Sequence, residues 1–193
     1  MKRILLFVSA LWMGAMSLFA IDTTCFPHRL LCDYLENPLG IDNPNPRLSW
    51  QLNDSRQGAK QTAYQIWVGT DSLEVVNEKG NQWNTGKQLS DKTLLSYKGE
   101  ALQPFTKYYW KIKVWDKDGV SSSSKIHTFE TGMMDVRNWQ GAWIGDWHDM
   151  HYKPAPYFRK VFQAKKKVKS ARAYLAAAGL FELYMNGEKI GNH

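Results

Sequence analysis

From Lys107 to Asp116 the chain reads KYYWKIKVWD, with Tyr108, Trp110, Ile112 and Val114 on every second position and Tyr109, Lys111, Lys113 and Trp115 between them. One apolar and one mixed face at a period of two is the pattern of a strand buried on one side. Leu48, Trp50 and Leu52 alternate in the same way with Ser49 and Gln51, and Tyr64, Ile66 and Val68 with Gln65 and Trp67. Polar turns separate these runs, one at Gly58, another at Asn84-Thr85-Gly86, and a hairpin turn from Asp116 to Gly119. With shorter strands at 94–97 and 125–131, the pattern predicts roughly six or seven strands in about a hundred residues and no helical period. Residues 25–47 read as an irregular leader, because Asn37, Pro38, Gly40, Pro44, Asn45 and Pro46 interrupt any long regular element.

Leu102, Pro104, Thr106 and Tyr108 sit at the spacing of a tyrosine corner, in which the phenol closes the end of a sandwich on its own backbone. Residues 25–132 are therefore expected to form an all-β sandwich of the fibronectin type III/immunoglobulin-like kind. Tyr108, Trp110 and Trp50 are its expected structural anchors, and the aromatic run is read as core rather than as a platform for a ligand. From Met133 the character changes. Trp139, Trp143 and Trp147 punctuate a stretch rich in Gly, Asp and His, ahead of a strand expected at 157–162. Ala171, Ala173 and Leu175, and then Phe181, Leu183 and Met185, again alternate with polar or aromatic neighbours. Asn186-Gly187 is a strong two-residue hairpin signal. Residues 133–193 thus read as the start of a second β unit, whose returning strand has barely begun at His193. A sandwich with an unpaired edge reads as a truncated piece.

Composition changes this picture little. The chain has 193 residues, 44% hydrophobic and 22% charged, with 9 Trp, 9 Tyr and 8 Phe, which is ordinary for a soluble globular protein and rich in aromatics. Lys2 and Arg3 followed by the apolar Ile4 to Phe19 and then Ala20 read as a signal peptide over 1–20, cleaved near Ala20. The expected location is therefore secreted or periplasmic, with no membrane association beyond that peptide. Asp22, Thr23 and Thr24 ahead of Cys25 do not form a lipoprotein cleavage site. Losing Lys2 and Arg3 takes the formal charge from +7 to +5. Much of the excess lies in Arg159, Lys160, Lys165, Lys166, Lys167, Lys169 and Arg172, and the KKKVK run at 165–169, with no interleaved aromatics, reads as a solvated turn and not as a nucleic-acid grip. Cys25 and Cys32 are either a small-loop disulfide or, for Cys32 within the pattern of Leu30, Leu31 and Tyr34, a buried thiol. His28, His127, His148, His151 and His193 are scattered and give no zinc spacing, so no metal or cofactor is expected. Asp116 and Asp118, spaced i and i+2 beside a glycine, read as turn formers and not as a catalytic pair.

Read together, YLENPLGIDNPNPRLSWQL (Tyr34 to Leu52), QTAYQIWVG (Gln61 to Gly69), YYWKIKVWDKDG (Tyr108 to Gly119), FETG (Phe129 to Gly132) and the tryptophan-glycine run from Trp139 to Gly145 resemble the N-terminal region of bacterial α-L-rhamnosidases, glycoside hydrolase family 78. LFELYMNGEKIG (Leu180 to Gly191) is similar to the start of the next module in those enzymes, a jelly-roll-like domain ahead of the catalytic barrel. The resemblance implies a non-catalytic, structural portion of an enzyme that removes terminal α-L-rhamnose from glycans. Its catalytic carboxylates belong to an (α/α)6 barrel downstream, and no position here matches them. Rhamnose-containing glycans and that catalytic domain are the implied partners. Two alternatives are a carbohydrate-binding module, with Glu182 and Asn186 as candidate sugar contacts, and an extracellular adhesion sandwich. Against the sugar contacts, Asn186 equally serves the positive φ of a type I′ turn and Glu182 a solvent-facing strand position.

Overall fold

Strand β7 (Lys107–Asp116) organises the first unit. Its inward residues Tyr108, Trp110, Ile112 and Val114 are at most 1% exposed, and the alternation runs its full length. In this computed structural model, which describes residues 25–147, 151 and 155–191, β7 pairs antiparallel with β3 (Gln61–Gly69) in an eight-rung ladder and with β8 (Ser121–Ser123) and β9 (His127–Glu130) on its other side. The two short strands β4 (Trp83–Asn84) and β5 (Gln88–Leu89) extend the free edge of β3. Facing this sheet is a second one, in the order β1 (Phe26–Cys32), β2 (Arg47–Asn53) and β6 (Leu94–Ser96). The first, second and sixth strands against the third, seventh and ninth is the layout of an immunoglobulin-like sandwich. Between the layers lie Leu30, Cys32, Leu48 and Trp50 from one sheet and Ile66, Val68, Tyr108, Trp110, Ile112, Val114 and Phe129 from the other. Excluding water from that interior is the main force holding the two sheets together.

Two features differ from the sequence reading. Residues 25–47 are not wholly irregular, because β1 lies within them and covers the β2 side of the core. Its period was hidden by a bulge. Arg29 sits at φ 46, the register shifts between His28 and Leu31, and the buried positions run Pro27, Leu30, Cys32 instead of every second residue. Pro27 is tolerated because β1 is an edge strand. A short helix, α1 (Ser72–Val76), also interrupts the all-β pattern and packs on β3 and β7. Asp71 caps it, its carboxylate accepting from the N–H groups of Leu73 and Glu74.

The outward face of the larger sheet carries Trp67, Tyr109 and Trp115, each beneath a lysine ammonium. Lys113 lies 5.7 Å from the Trp67 ring, Lys107 5.4 Å from Tyr109 and Lys87 4.3 Å from Trp115. Glu78 holds Lys113 at 2.6 Å and Lys111 at 3.5 Å. Each ammonium is drawn to the electron-rich face of its ring, so the outer aromatics are overlaid with positive charge.

The chain divides into two units between Ala142 and Trp143. The described part of the second unit holds one hairpin, β10 (Leu183–Met185) with β11 (Glu188–Ile190). The strands expected at 157–162 and 171–175 do not form there, and Tyr157, Val161, Phe162 and Leu175 are exposed. Isolated strands without a partner ladder or a covered face lack the interactions that hold strands in place. Trypsin is therefore expected to cut first among Arg159, Lys160, Lys165, Lys166, Lys167 and Lys169, all exposed and outside regular structure, and only later at Lys111 or Lys113 on β7. Mass spectrometry of the early products checks this, and a first cut inside the sandwich would contradict the division.

Candidate functional site

The tyrosine corner is built from the turn that precedes β7. The Tyr108 hydroxyl accepts the Gln103 N–H at 2.7 Å, and its ring stacks on Phe129 at 5.1 Å. Thr131, fully buried and read from the sequence only as the end of a strand, completes the corner. Its hydroxyl donates to the Gln103 carbonyl at 2.6 Å and accepts the Thr106 N–H at 2.9 Å. Trp110 is 1% exposed and meets His127 edge-on at 6.4 Å. Trp50 is 3% exposed, with its indole N–H donating to Gln61 Oε1 at 2.9 Å. Gln61 in turn donates to the carbonyls of Ser90 and Lys92, tying β3 to the approach to β6. No sequence signal distinguished Gln61 from the other polar residues at strand starts.

Arg56, also missed, gathers Asp116 and Asp118 together with Asp54. Its guanidinium reaches Asp54 at 2.5 Å, Asp116 at 2.6 Å and Asp118 at 2.8 Å. Asp116 Oδ1 additionally accepts the N–H groups of Asp118 and Val120, closing the β7–β8 turn from within. Burial alone would raise the Asp116 carboxyl, but the hydrogen bonds from Arg56 and from the Val120 and Asp118 N–H groups outweigh it and hold the group below its ordinary value. Asp54, hydrogen-bonded to Arg56, falls to about 2. All of this is turn chemistry. A general acid needs a carboxyl pushed up, whereas Asp54 and Asp116 are pushed down.

The candidate sugar contacts lie on the hairpin of the second unit. Asn186 at φ 53 and Gly187 at φ 89 form the two-residue turn between β10 and β11, both in the left-handed region that a type I′ turn requires. The Glu182 carboxylate accepts from Lys189 Nζ at 2.6 Å and from the Tyr184 hydroxyl at 2.8 Å, which lowers its pKa below the usual glutamate value. The structure thus brings Glu182, Tyr184 and Lys189 together and gives Asn186 a backbone role.

Cys25 and Cys32 are free, buried thiols. The disulfide reading gives way to the thiol one. Both side chains are enclosed at opposite ends of β1's span, and burial pushes the Cys32 thiol up to about 12. Among the described residues no group of His, Cys, Asp and Glu is arranged to hold a metal ion, and no helix is long and apolar enough to cross a membrane. Residues 1–20, Ala20 included, and His148 and His193 lie outside the described residues.

The family described as Rha78A-like, N-terminal immunoglobulin domain, matches residues 27–135. An α-L-rhamnosidase of Formosa agariphila is 33% identical over 190 residues, which cover 86% of this chain and 20% of that protein. The solved α-L-rhamnosidase from Dictyoglumus thermophilum superposes with a TM-score of 0.58 at 39% identity, over 59% of this chain and 13% of that one. The α-L-rhamnosidase of Streptomyces avermitilis, solved with L-rhamnose, gives 0.60 at 33% identity, over 63% and 12%. The chain spans a fifth or less of the length of the curated relatives it matches. A corner-closed sandwich over the matched residues, aligned with a small part of each of these enzymes, shows that the chain belongs to the family of Rha78A-like N-terminal immunoglobulin domains of α-L-rhamnosidases.

Proposed function

We propose that this chain is the exported, non-catalytic N-terminal portion of an α-L-rhamnosidase, and that its sandwich supports the domain that hydrolyses terminal α-L-rhamnose from glycans. The observation that carries the reading is the match of an immunoglobulin domain to residues 27–135 in a chain that spans about a fifth of a full relative. The N-terminal pattern of Lys2, Arg3 and the apolar run to Ala20 supports export through a cleaved signal peptide, with residues 25–132 as the sandwich and 133–193 as the start of the next module.

The chemistry of the carboxylates agrees with a supporting role. Inverting glycoside hydrolysis places two carboxyl groups roughly 6.5–9.5 Å apart with a water between them, one of the two protonated. Asp54, Asp116 and Asp118 share one guanidinium, and Glu182 is taken up by Lys189 and Tyr184. This 193-residue chain is therefore expected to release no nitrophenol from an aryl α-L-rhamnoside, while a version extended through the rest of a relative's length does so. Turnover by the short chain that survives Asp116→Asn and Asp118→Asn would overturn this.

A second reading, a sugar-binding surface, rests on Glu182, Tyr184 and Lys189 converging on the hairpin beside Asn186. Calorimetry with L-rhamnose against the chain and its Glu182→Ala variant separates the two readings.

A further inference from the structure

We propose that His127 is an acid-responsive latch, whose protonation loosens the start of β9 and releases the loop at Glu36–Pro38 from the sandwich. Its ring stands edge-on to the fully buried Trp110, and its Nδ1 is buried without a hydrogen-bond partner among the described residues. A neutral imidazole tolerates one unpaired acceptor nitrogen. Protonation turns that nitrogen into a charged donor with nothing to receive it, which is far costlier away from water.

The position makes the response local. β9 pairs only with β7, and its outer side is held by the loop instead of by another strand. Asn37, itself at φ 46, accepts the Thr128 N–H at 2.8 Å, and the Pro38 carbonyl accepts the Glu130 N–H at 2.9 Å. His127 and Thr128 are half-buried while Phe129 and Glu130 are buried, so the strand opens most readily from its first residues. Trp110 from β7, which carries no charge, meets the ring edge-on, and the charge of Glu36 from the loop acts on it electrostatically. Burial holds the imidazole below its ordinary 6.5, and Glu36 works in the other direction to a smaller extent. With the folded value below the unfolded one, the folded contacts are fully favoured above 6.5 and weaken as pH falls through the folded value. A ring that swings out toward Glu36 satisfies the proton and breaks the packing that seats the loop.

Amide hydrogen exchange on the isotopically labelled chain tests the latch. Lowering the pH from about 7.5 to about 5, with rates corrected for intrinsic chemistry, should cost Thr128 and Glu130 protection while Gln82, bonded to Val68 on the far side of the sheet, keeps its own. His127→Phe keeps a ring against Trp110 without a titrating nitrogen and should abolish the loss. Glu36→Gln, which removes the group favouring the proton, should move its onset to lower pH. An equal loss in His127→Phe, no loss in the parent, or a His127 ring resonance titrating at or above 6.5 overturns the proposal. If His127→Phe fails to fold, that ring titration in the parent chain decides alone.

Discussion

Replacing Trp110 with alanine is expected to lower the stability of the sandwich by about 3–5 kcal/mol, the range for emptying a buried aromatic site. Trp110 is the largest of the fully buried side chains and sits at the centre of β7, where the two sheets close on each other. Ile112, Leu48 and Phe129 of the same core belong to strands fixed by their ladders, so the core collapses into the cavity only in part. Denaturant melts followed by circular dichroism should show the midpoint fall with little change in slope. Two neighbours calibrate the result. Trp115→Ala, on the lysine-covered outer face, should cost much less, and Tyr108→Phe, which leaves the Gln103 N–H without its acceptor, about 1–3 kcal/mol. A neutral Trp110→Ala would mean that the inner and outer faces of β7 are exchanged.

The second large effect belongs to the Arg56 cluster. Asp116→Ala removes the acceptor of two turn N–H groups and one arm of the guanidinium from a side chain only 1% exposed, and should cost on the order of 2–4 kcal/mol. Arg56→Ala should also destabilise, since it leaves Asp54 and Asp116 as enclosed carboxylates with no cation between them. The pH dependence follows from the direction of the shifts. Asp54 and Asp116 have folded values below the unfolded 3.8, so their stabilisation is present above that pH and is lost as pH falls through the folded values, about 2 for Asp54. Asp116→Asn retains an oxygen for the turn but no titrating charge, and its acid unfolding curve should be shallower than that of the parent. Superimposable acid curves for the two proteins would remove Asp116 from the account.

What the sequence made legible was whatever repeats at a fixed period or spacing. β7 was readable because all ten positions obey one rule, and the corner because Leu102, Pro104, Thr106 and Tyr108 are close in the chain. β1 was not, because a single left-handed residue, Arg29, breaks the count of two. α1 carried a signal that went unread, an Asp71-x-x-Glu74 start of the kind that caps helices, but at five residues it has no room to show a helical period. Arg56 and Gln61 were illegible for a different reason. Their partners Asp116, Asp118, Ser90 and Lys92 are about thirty to sixty positions away, and only the folded topology makes them neighbours. On the hairpin, the turn role of Asn186 was readable, but that of Glu182 was not, since its contacts with Tyr184 and Lys189 arise only once the turn has formed.

The two enclosed thiols, Cys32 at the end of β1 and Cys25 just before its start, pack in the core without a cross-link. Cys25 and Cys32 are each hidden from solvent, and burial raises both thiols above their ordinary value, Cys32 to about 12. Oxidants and reductants in solution therefore reach these thiols poorly while the strand is seated. The same enclosure makes the thiols reporters. A thiol reagent that modifies Cys32 must wait for the end of β1 to leave the sheet, so its modification rate measures how often the first strand of this sandwich detaches.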